Sequence, residues 1–501
     1  MRWSGFGILL LILGVSSALA DEGSCKRSMK ELSLAWVKRQ IKASSKVEPA
    51  QHRIREAAQQ TDLSVLARNS EILKKHNDHY SVVVRRGDIT NQDDSGKCWI
   101  FAGMSMLRAG LIGSQMVPPN FQLSTSYLHF FSYLEQANAY LDRIIDSRSA
   151  DFMTSEFGQG MSPTKVSEGG YFGDFAQLVE KYGLVPHSVM PDSDASKNTA
   201  AWLEPELHDL LGRIAQELFD EMMSHRGLDL KLKYPNSEVR ALYEIKSRGM
   251  SAIWKLLTLF FGVPPQEFEF RYGAKLPDED KKWKVAKIKS QTGVFTPQSF
   301  AEKIVGFKAL DYIEIDFNPR YEFGKIYEIK DSTIGLGDRA FPGLTRKVLN
   351  LPIKRLLEIT IKSLDQGHPV WFGGDMDKDV DQESGIMHTK IYDRTGIYGL
   401  TPSEAFPAMR LPMAMHLRMN TGAHAMLISG YDKPKGKPVV KFRVENSWGT
   451  SLGDAGIFHL YREWFEAYVS EIAVLRKFLK ATELKALDQE AIAVREIDWN
   501  I

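Results

Sequence analysis

This chain has few cysteines and almost equal numbers of basic and acidic residues. Two cysteines in 501 residues do not form a disulfide-dense scaffold. Lysine and arginine number 64 against 63 acidic residues, so no strong field would attract nucleic acid or an anionic membrane. No internal repeat or low-complexity tract stands out. With 43% hydrophobic residues, the chain has ample material for a globular core, and its length suggests two modules or one fold with a large insertion.

The one long apolar stretch that matters for location is at the N-terminus, where residues 1–20 have the pattern of a secretory signal peptide. Arg2 supplies a basic region, residues 6–13 an apolar core too short for a comfortable membrane span, and residues 18–20 a small-x-small cleavage site. We therefore expect export to the periplasm, the cell exterior or a secretory-pathway lumen, without stable membrane association afterwards. An uncleaved anchor is the alternative.

Cys98 lies between a polar loop and an apolar run, residues 99–107. Asp94 or Ser95 is expected to cap a helix here, and Gly96 allows a sharp turn into it. Cys98 would then lie in the first helical turn, where unpaired N–H groups and the positive helix end favour the nucleophilic thiolate. The alternative is a buried core cysteine, so the interpretation depends on partners elsewhere in the chain.

The second cysteine, Cys25, could form a disulfide with Cys98 in an exported protein. Such a bond would silence the proposed nucleophile, so we expect Cys98 to be free. Cys25, near the mature N-terminus, is expected to be mobile and could link two chains.

Two stretches near the C-terminus carry the partners that a nucleophilic cysteine needs. His424 lies between small residues at the mouth of an apolar strand, and Asn446 ends another strand before a Gly-containing turn. An imidazole could deprotonate Cys98, and the asparagine carbonyl oxygen could fix its tautomer through the other ring nitrogen. Alone, such a histidine is structural and such an asparagine forms a turn. The order Gln-Cys-His-Asn, which begins at Gln92, is a much stronger signal of thiol chemistry.

Hydrophobic periodicity predicts a mixed chain with a helical middle. Residues 26–80 are predicted to be helical and residues 82–84 to form a strand. Ser124 is predicted to cap a helix that runs to about Ile145, and residues 191–265 to form an inserted helical subdomain. Residues 266–330 turn towards strand character. The remaining expected elements are helices over 175–182, 203–223, 239–261 and 351–364, and strands over 312–315, 325–329 and 369–373.

These stretches resemble the papain superfamily, and within it the bleomycin hydrolase and bacterial aminopeptidase C branch. The resemblance covers essentially the whole mature chain, with specific matches at Ile89–Phe101, Leu123–Asp142, Glu180–Gly183, Val370–Gly373 and Phe442–Gly449. In ordinary papains the histidine follows the cysteine by about 130 residues. Here 326 residues separate His424 from Cys98. That excess fits the insertion typical of the branch, so the implied fold is papain-like α+β with a large helical insertion.

The resemblance implies roles for four residues. Cys98 would be the nucleophile and His424 the general base and then acid, with Asn446 orienting the imidazole. Gln92 would donate its side-chain amide to the oxyanion together with the Cys98 backbone N–H.

Three further residues match the substrate-binding part of the family pattern. Gly169 and Gly170 match the loop that pairs with substrate backbone, with a plain surface turn as the alternative. The Trp448 ring would shield the hydrogen bond between His424 and Asn446 from water.

The implied organisation has five segments. They are a signal peptide (1–20), an N-terminal extension with the left half and the cysteine (21–190), a mostly helical insertion (191–300), the right half with the histidine and asparagine (301–480), and a C-terminal tail (481–501).

The implied activity is that of an exported cysteine peptidase, with aminopeptidase action on peptides as the leading mode. Neither a metal nor an organic cofactor is expected, and the family assembly is a hexameric barrel. An endopeptidase or peptide amidase with an open cleft is one alternative. An inactive papain-like binding or assembly protein is another.

The chain departs from the branch in three ways. It carries an export signal, whereas familiar members are intracellular. It is nearly neutral, so the nucleic-acid binding attributed to basic members is not expected. Its tail, residues 496–501, lacks the Trp-Asp-Pro-x-Gly-Ala-Leu-like ending that lies in the cleft of the relatives.

Overall fold

The structure is a computed structural model that divides into two compact units. One unit comprises residues 1–69 and 392–406, and the other residues 70–391 and 407–501. The predicted signal peptide, Cys25 and Ile501 lie outside the described residues. In the part of the chain that the structure describes, no helix is both long enough and apolar enough to cross a membrane. The described residues are 32–46, 48–114, 116–146, 163, 166–226, 238–273, 290–330, 346–400, 423–495 and 499.

The helices and strands follow one another in a mixed order. The helices are α1 (Leu34–Ser44), α2 (Pro49–Ala58), α3 (Leu63–Ala67), α4 (Ser70–Lys75), α5 (Cys98–Gly113), α6 (Thr125–Asp146), α7 (Phe172–Tyr182), α8 (Thr199–Trp202), α9 (Glu204–Arg226), α10 (Val239–Phe261), α11 (Pro297–Phe300), α12 (Ile353–Asp365), α13 (Arg394–Tyr398), α14 (Arg462–Tyr468) and α15 (Ala481–Leu487). The strands are β1 (Val82–Val83), β2 (Phe268–Gly273), β3 (Ser290–Phe295), β4 (Tyr312–Asp316), β5 (Ile326–Lys330), β6 (Lys347–Asn350), β7 (Val370–Asp375), β8 (Val380–Asp381), β9 (Ile386–Met387), β10 (Ala423–Asp432), β11 (Lys441–Glu445), β12 (Ile457–Tyr461), β13 (Val469–Leu475) and β14 (Ile492–Arg495).

The smaller unit contains α1, α2, α3 and α13. Backbone and side-chain hydrogen bonds join its two chain segments. The N–H of Asp393 donates to the carbonyl of Ala67 over 2.7 Å, and the Gln51 amide donates to the carbonyl of Ile397 over 3.2 Å. The first two helices bury no residue, and among the described residues of this unit only Ala67 is buried.

The larger unit is built on a twelve-stranded sheet, in the order β14-β5-β6-β4-β13-β7-β10-β11-β12-β9-β8, with β1 also paired to β10. Most neighbours are antiparallel, while β4 and β6, β5 and β14, and β9 and β12 run parallel. β2 and β3 form a separate antiparallel hairpin. The central strands β7 and β10 are therefore hydrogen-bonded to a neighbouring strand on each edge.

Each face of the central strands packs on its own hydrophobic core. Because successive side chains of a strand point to opposite faces, Trp371 and Leu427 belong to one core and Phe372 and Met426 to the other. The first core contains the apolar sides of α5, α6, α7, α9 and α10. This packing sets the start of α5 against β10.

Most predicted elements are confirmed to within a few residues. The helix predicted over 239–261 has those bounds, and Gly262 ends it with φ 85°. The helix expected from Ser124 begins at Thr125, and the Ser124 hydroxyl accepts a hydrogen bond from the N–H of Tyr127. The helix expected over 175–182 begins three residues earlier, at Phe172.

Two local predictions are wrong. Residues 76–80 were expected to be helical but form no helix, because they bond to neighbouring strands: Lys441 donates to the carbonyl of Asn77, and His76 and Tyr80 hydrogen-bond to β12. Part of the region expected to be strand-like is helical instead. There Thr296 caps α11, and Pro297 occupies the first helical position.

Candidate active site

Cys98 is the first residue of α5 and is partly exposed, as the sequence predicts. The cap differs from the prediction. Lys97 is the N-cap and its side chain makes no capping bond, while the Ser95 hydroxyl donates to the carbonyl of Gln92. Since no side chain caps this end, its first N–H groups are available to the sulfur. The N–H of Trp99 hydrogen-bonds to Cys98.

Cys98 and His424 shift each other's pKa in opposite directions. Burial alone would raise the pKa of the Cys98 thiol, but the charge of His424, a hydrogen bond from it and the N–H groups of Ala425 and Trp99 lower that pKa. Burial alone would lower the pKa of His424, but Cys98 and a hydrogen bond with Asn446 raise it. Both shifts act in the direction of the thiolate–imidazolium pair.

Asn446 holds the other side of the imidazole. Nε2 of His424 lies 2.8 Å from Oδ1 of Asn446, which leaves Nδ1 for the sulfur. The Trp448 ring stacks on the imidazole, with centroids 4.7 Å apart and planes inclined by 28°. The asparagine is buried and follows directly after β11, so one face of the His424 ring is held by Trp448 and one edge by Asn446.

Gln92 is buried beside this group and is held at three points. Its N–H donates to the carbonyl of Ser447 over 2.7 Å, and its Oε1 accepts from the Ser447 hydroxyl over 2.6 Å. Its Nε2 donates to the carbonyl of Ser95 over 2.5 Å. A primary amide has two N–H bonds, so one donor of Nε2 remains for a ligand.

Glu168 joins the cysteine loop to the loop of Gly169 and Gly170, and it was not among the residues predicted from the sequence. Its carboxylate accepts from the N–H of Gly96 and from the N–H of Ala200 over 2.8 Å, and its carbonyl accepts from the Trp99 indole over 2.9 Å. A Cβ built at Gly170 would lie 2.6 Å from that indole ring, so only glycine fits there. An acidic residue directly before two glycines and the start of a helix is the sequence pattern that could have marked Glu168.

A second set of charged side chains lies on a row of paired residues that crosses four strands of the sheet, β4, β13, β7 and β10. Asp316 of β4 faces Glu471 of β13, Glu471 faces Gly373 of β7, and Gly373 faces Ala425, next to His424. The Glu471 carboxylate occupies the space that a side chain at Gly373 would need, since a Cβ there would lie 2.3 Å from Oε1.

These acids surround an arginine. The Arg346 guanidinium lies 2.7 Å from Glu314, 3.7 Å from Asp316 and 3.4 Å from Glu471, and all four side chains are buried. Although the three carboxylates are close enough to hold a metal ion, Arg346 already supplies a cation at their centre.

The C-terminal segment reaches this row. Trp499 is buried against Tyr321 and Tyr327; its indole N–H donates to Asp316 over 2.8 Å, and its carbonyl accepts from Asn318 over 2.8 Å. Asp316 and Ala425 are three strand spacings apart, about 14 Å. Trp499 is therefore held at the Asp316 end of this row, and Ile501 itself lies outside the described residues.

The chain matches proteins of known family along almost its whole length. The model of the Peptidase C1-like family matches residues 33–499. Aminopeptidase C of Streptococcus thermophilus is 31% identical over 431 residues, which are 85% of this chain and 88% of that protein. Aminopeptidase C of Lactobacillus delbrueckii subsp. lactis is 30% identical over 413 residues, 82% of this chain and 84% of that one.

A yeast protein and a crystal structure extend the comparison. The mitochondrial cysteine proteinase 1 of Saccharomyces cerevisiae YJM789 is 28% identical over 412 residues, 82% of this chain and 79% of that protein. The crystal structure of PepW from Lactobacillus rhamnosis HN001 covers 94% of this chain and 98% of its own, with a TM-score of 0.80 and 24% identity. That likeness shows the papain-like α+β fold. By its family match and its relatives, this chain belongs to the Peptidase C1-like family and is a papain-like cysteine peptidase of the aminopeptidase C type.

Proposed function

We propose that the protein is an exported aminopeptidase that cleaves peptides with Cys98, His424 and Asn446. The observation that carries the proposal is the Cys98–His424 pair, with its opposed pKa shifts and its hydrogen bond to Asn446. The thiolate attacks the scissile carbonyl, and the imidazolium gives its proton to the departing amine. His424 then takes a proton from water, which attacks the thioester and releases the acid.

The proposed oxyanion site is formed by Gln92 and the N–H of Cys98. The remaining Nε2 donor of Gln92 and the N–H at the uncapped start of α5 would both point at the developing charge. Because Ser447 and Ser95 fix the amide before substrate arrives, no reorganisation is needed in the transition state.

The position of Trp499 supports action at a free N-terminus. Residues 500 and 501 can extend at most about 7 Å beyond Trp499. A carboxylate at the end of this tail would attract the substrate's ammonium group. In a confined cleft such a charge pair contributes a few kcal/mol.

The test compares peptides that differ only at the N-terminus. The mature protein, residues 21–501, should cleave a free peptide roughly 100-fold faster than its N-acetylated form, the factor that a few kcal/mol gives. Deleting residues 500 and 501 should reduce this ratio while Trp499 keeps its contacts, and deleting 497–501 should erase it. Equal cleavage of both peptides by the intact protein would identify an endopeptidase.

Export and assembly belong to the same proposal. The sequence of residues 1–20 supports removal of a leader, so N-terminal sequencing of the secreted protein should begin at Asp21. We also propose a homo-oligomer, with six copies favoured by the family resemblance, and no nucleic-acid partner.

A further inference from the structure

A second group of metal-ligating side chains lies outside the catalytic residues. One imidazole nitrogen each of His76 and His459 and a carboxylate oxygen of Asp78 lie within 4.8 Å of one another. His76 and Asp78 belong to the segment 76–80, which precedes β1, and His459 belongs to β12. We propose that these three residues bind a divalent transition-metal ion of the zinc type, which would cross-link the segment 76–80 to β12.

The spacing of the ligand atoms suits such an ion. Nε2 of His76 lies 3.0 Å from Oδ1 of Asp78, and Nε2 of His459 lies 3.9 Å from the same oxygen. Zinc bonds to imidazole and carboxylate of about 2.0 to 2.2 Å place neighbouring ligand atoms about 3.0 to 3.5 Å apart. The longer distance exceeds a hydrogen bond, so the carboxylate and His459 face each other without bonding directly.

The far side of each imidazole is fixed by a tyrosine of the opposite segment. Nδ1 of His459 lies 2.5 Å from the hydroxyl of Tyr80, and Nδ1 of His76 lies 3.1 Å from the hydroxyl of Tyr461. Metal-bound histidines nearly always have such a partner on the other ring nitrogen, because it sets the tautomer and ring orientation. Here the segment 76–80 and β12 supply it reciprocally, Tyr80 to His459 and Tyr461 to His76. This crossed pairing leaves both Nε2 atoms directed towards Asp78.

The surroundings permit a cation. Lys441 and Arg443 are nearby, but Lys441 is engaged by the carbonyl of Asn77 and lies 4.6 Å from the centroid of the Tyr80 ring. Three carboxylates offset the positive charge of these two side chains. Asp78, Asp432 and Asp454 interact electrostatically with the histidines or with Lys441. The side chain of Asp78 is 74% exposed while that of His459 is 1% exposed. The ion would therefore enter from solvent past Asp78, and water could fill its remaining positions.

The experiment uses the full mature chain carrying Cys98→Ala, because the catalytic thiolate would itself bind zinc. Calorimetric titration with zinc chloride should give one ion per chain. Asp78→Asn, at an exposed position that tolerates change, should weaken binding at least about 10-fold, and His76→Gln about 100-fold or more. His79→Gln is the matched control, since this histidine is exposed in the same segment and should leave the affinity unchanged.

Further measurements distinguish a specific metal site from non-specific binding to surface side chains. Cobalt(II) should give visible ligand-field bands in the Cys98→Ala protein that disappear with His76→Gln, and Tyr461→Phe should weaken binding about 10-fold. The melting temperature should rise with zinc concentration and cease to do so with Asp78→Asn. Absence of stoichiometric binding, or equal binding by the parent, His76→Gln and Asp78→Asn proteins, would overturn the proposal.

Discussion

Oδ1 of Asn446 accepts two hydrogen bonds of 2.8 Å, one from Nε2 of His424 and one from the N–H of Ser447. The backbone bond fixes the oxygen, so the imidazole is aligned by a group that cannot rotate away. This is the arrangement expected of a residue that orients a general base without exchanging protons with it.

Asn446→Ala should therefore reduce kcat/KM by less than Cys98→Ala or His424→Ala, each of which should abolish cleavage. It should also change the pH profile. Cys98 governs the acid limb of the active pair and His424 the alkaline limb. Because the bond to Asn446 raises the pKa of His424, its loss should move the alkaline limb to lower pH. A pH–rate profile measures this; an unmoved alkaline limb would leave Asn446 with a structural role only. Retention of a tenth of the activity by Cys98→Ala would contradict the mechanism itself.

Gln92→Ala should lower kcat roughly 100-fold or more with little change in KM, because the oxyanion charge develops only in the transition state. Ser447→Ala should have a smaller effect of the same kind, since its hydroxyl only holds Oε1 of Gln92. Steady-state kinetics on one peptide distinguish these outcomes. A change confined to KM would make Gln92 a substrate-binding residue.

Two glycines of α5 should respond in opposite ways to alanine. A Cβ at Gly103 would lie 2.6 Å from the Phe175 ring, whereas no described atom lies within 4 Å of a Cβ at Gly110. Gly103→Ala should lower the free energy of unfolding by about 1 to 3 kcal/mol through overpacking. Gly110→Ala should raise it by about 0.5 to 1 kcal/mol through helix propensity. Urea denaturation measures both. Stabilisation by both substitutions would show that α5 is not packed against α7 at Gly103.

The buried acids should make stability fall as pH rises. Burial, then the charge of Glu314, raises the pKa of Asp316 from 3.8 to about 7. Between these values the folded protein holds a proton that the unfolded chain has lost, so the free energy of unfolding decreases with increasing pH.

Asp316→Asn should remove part of this slope and retain the bond from Trp499, because the amide oxygen can still accept it. Denaturation at pH 5 and at pH 8 measures the slope. Asp194→Asn is a control that should leave the slope unchanged, since a hydrogen bond with Lys197 lowers the pKa of Asp194 from 3.8 and its carboxylate is ionised in both states between pH 5 and pH 8. A parent protein equally stable at both pH values would mean that these acids share no proton.

Exposed apolar side chains of α10 are the candidates for the proposed subunit contact. Leu257 and Phe261 of α10 are buried in the core, whereas Leu259 is 79% exposed and Trp254 is 38% exposed. Light scattering should give several times the monomer mass. Leu259→Lys should weaken assembly and Leu310→Lys, at a 63% exposed site elsewhere, should not. A monomer of the unmodified protein at micromolar concentration would remove the proposed contact.

Local pattern was enough to predict much of the architecture. The span of α10 follows from helical periodicity ended by Gly262, and the start of α6 from Ser124, because caps and left-handed glycines act within a few residues of their own position. Cys98 at a helix start follows for the same reason. Its cap did not, because Ser95 bonds to Gln92 inside the cysteine loop instead.

The residue types at positions 92, 98, 424 and 446 can be recognised without a structure. Apolar periodicity also predicts that Cys98 lies at the start of a helix and that His424 and Asn446 lie at the ends of strands. Tertiary structure decided what those residues meet. Four features join distant parts of the chain: the contacts of Glu168, the row from Asp316 to Ala425, the bond from Trp499 to Asp316, and the crossed tyrosine–histidine pairs. Such contacts depend on sheet order and register, which short-range pattern does not specify.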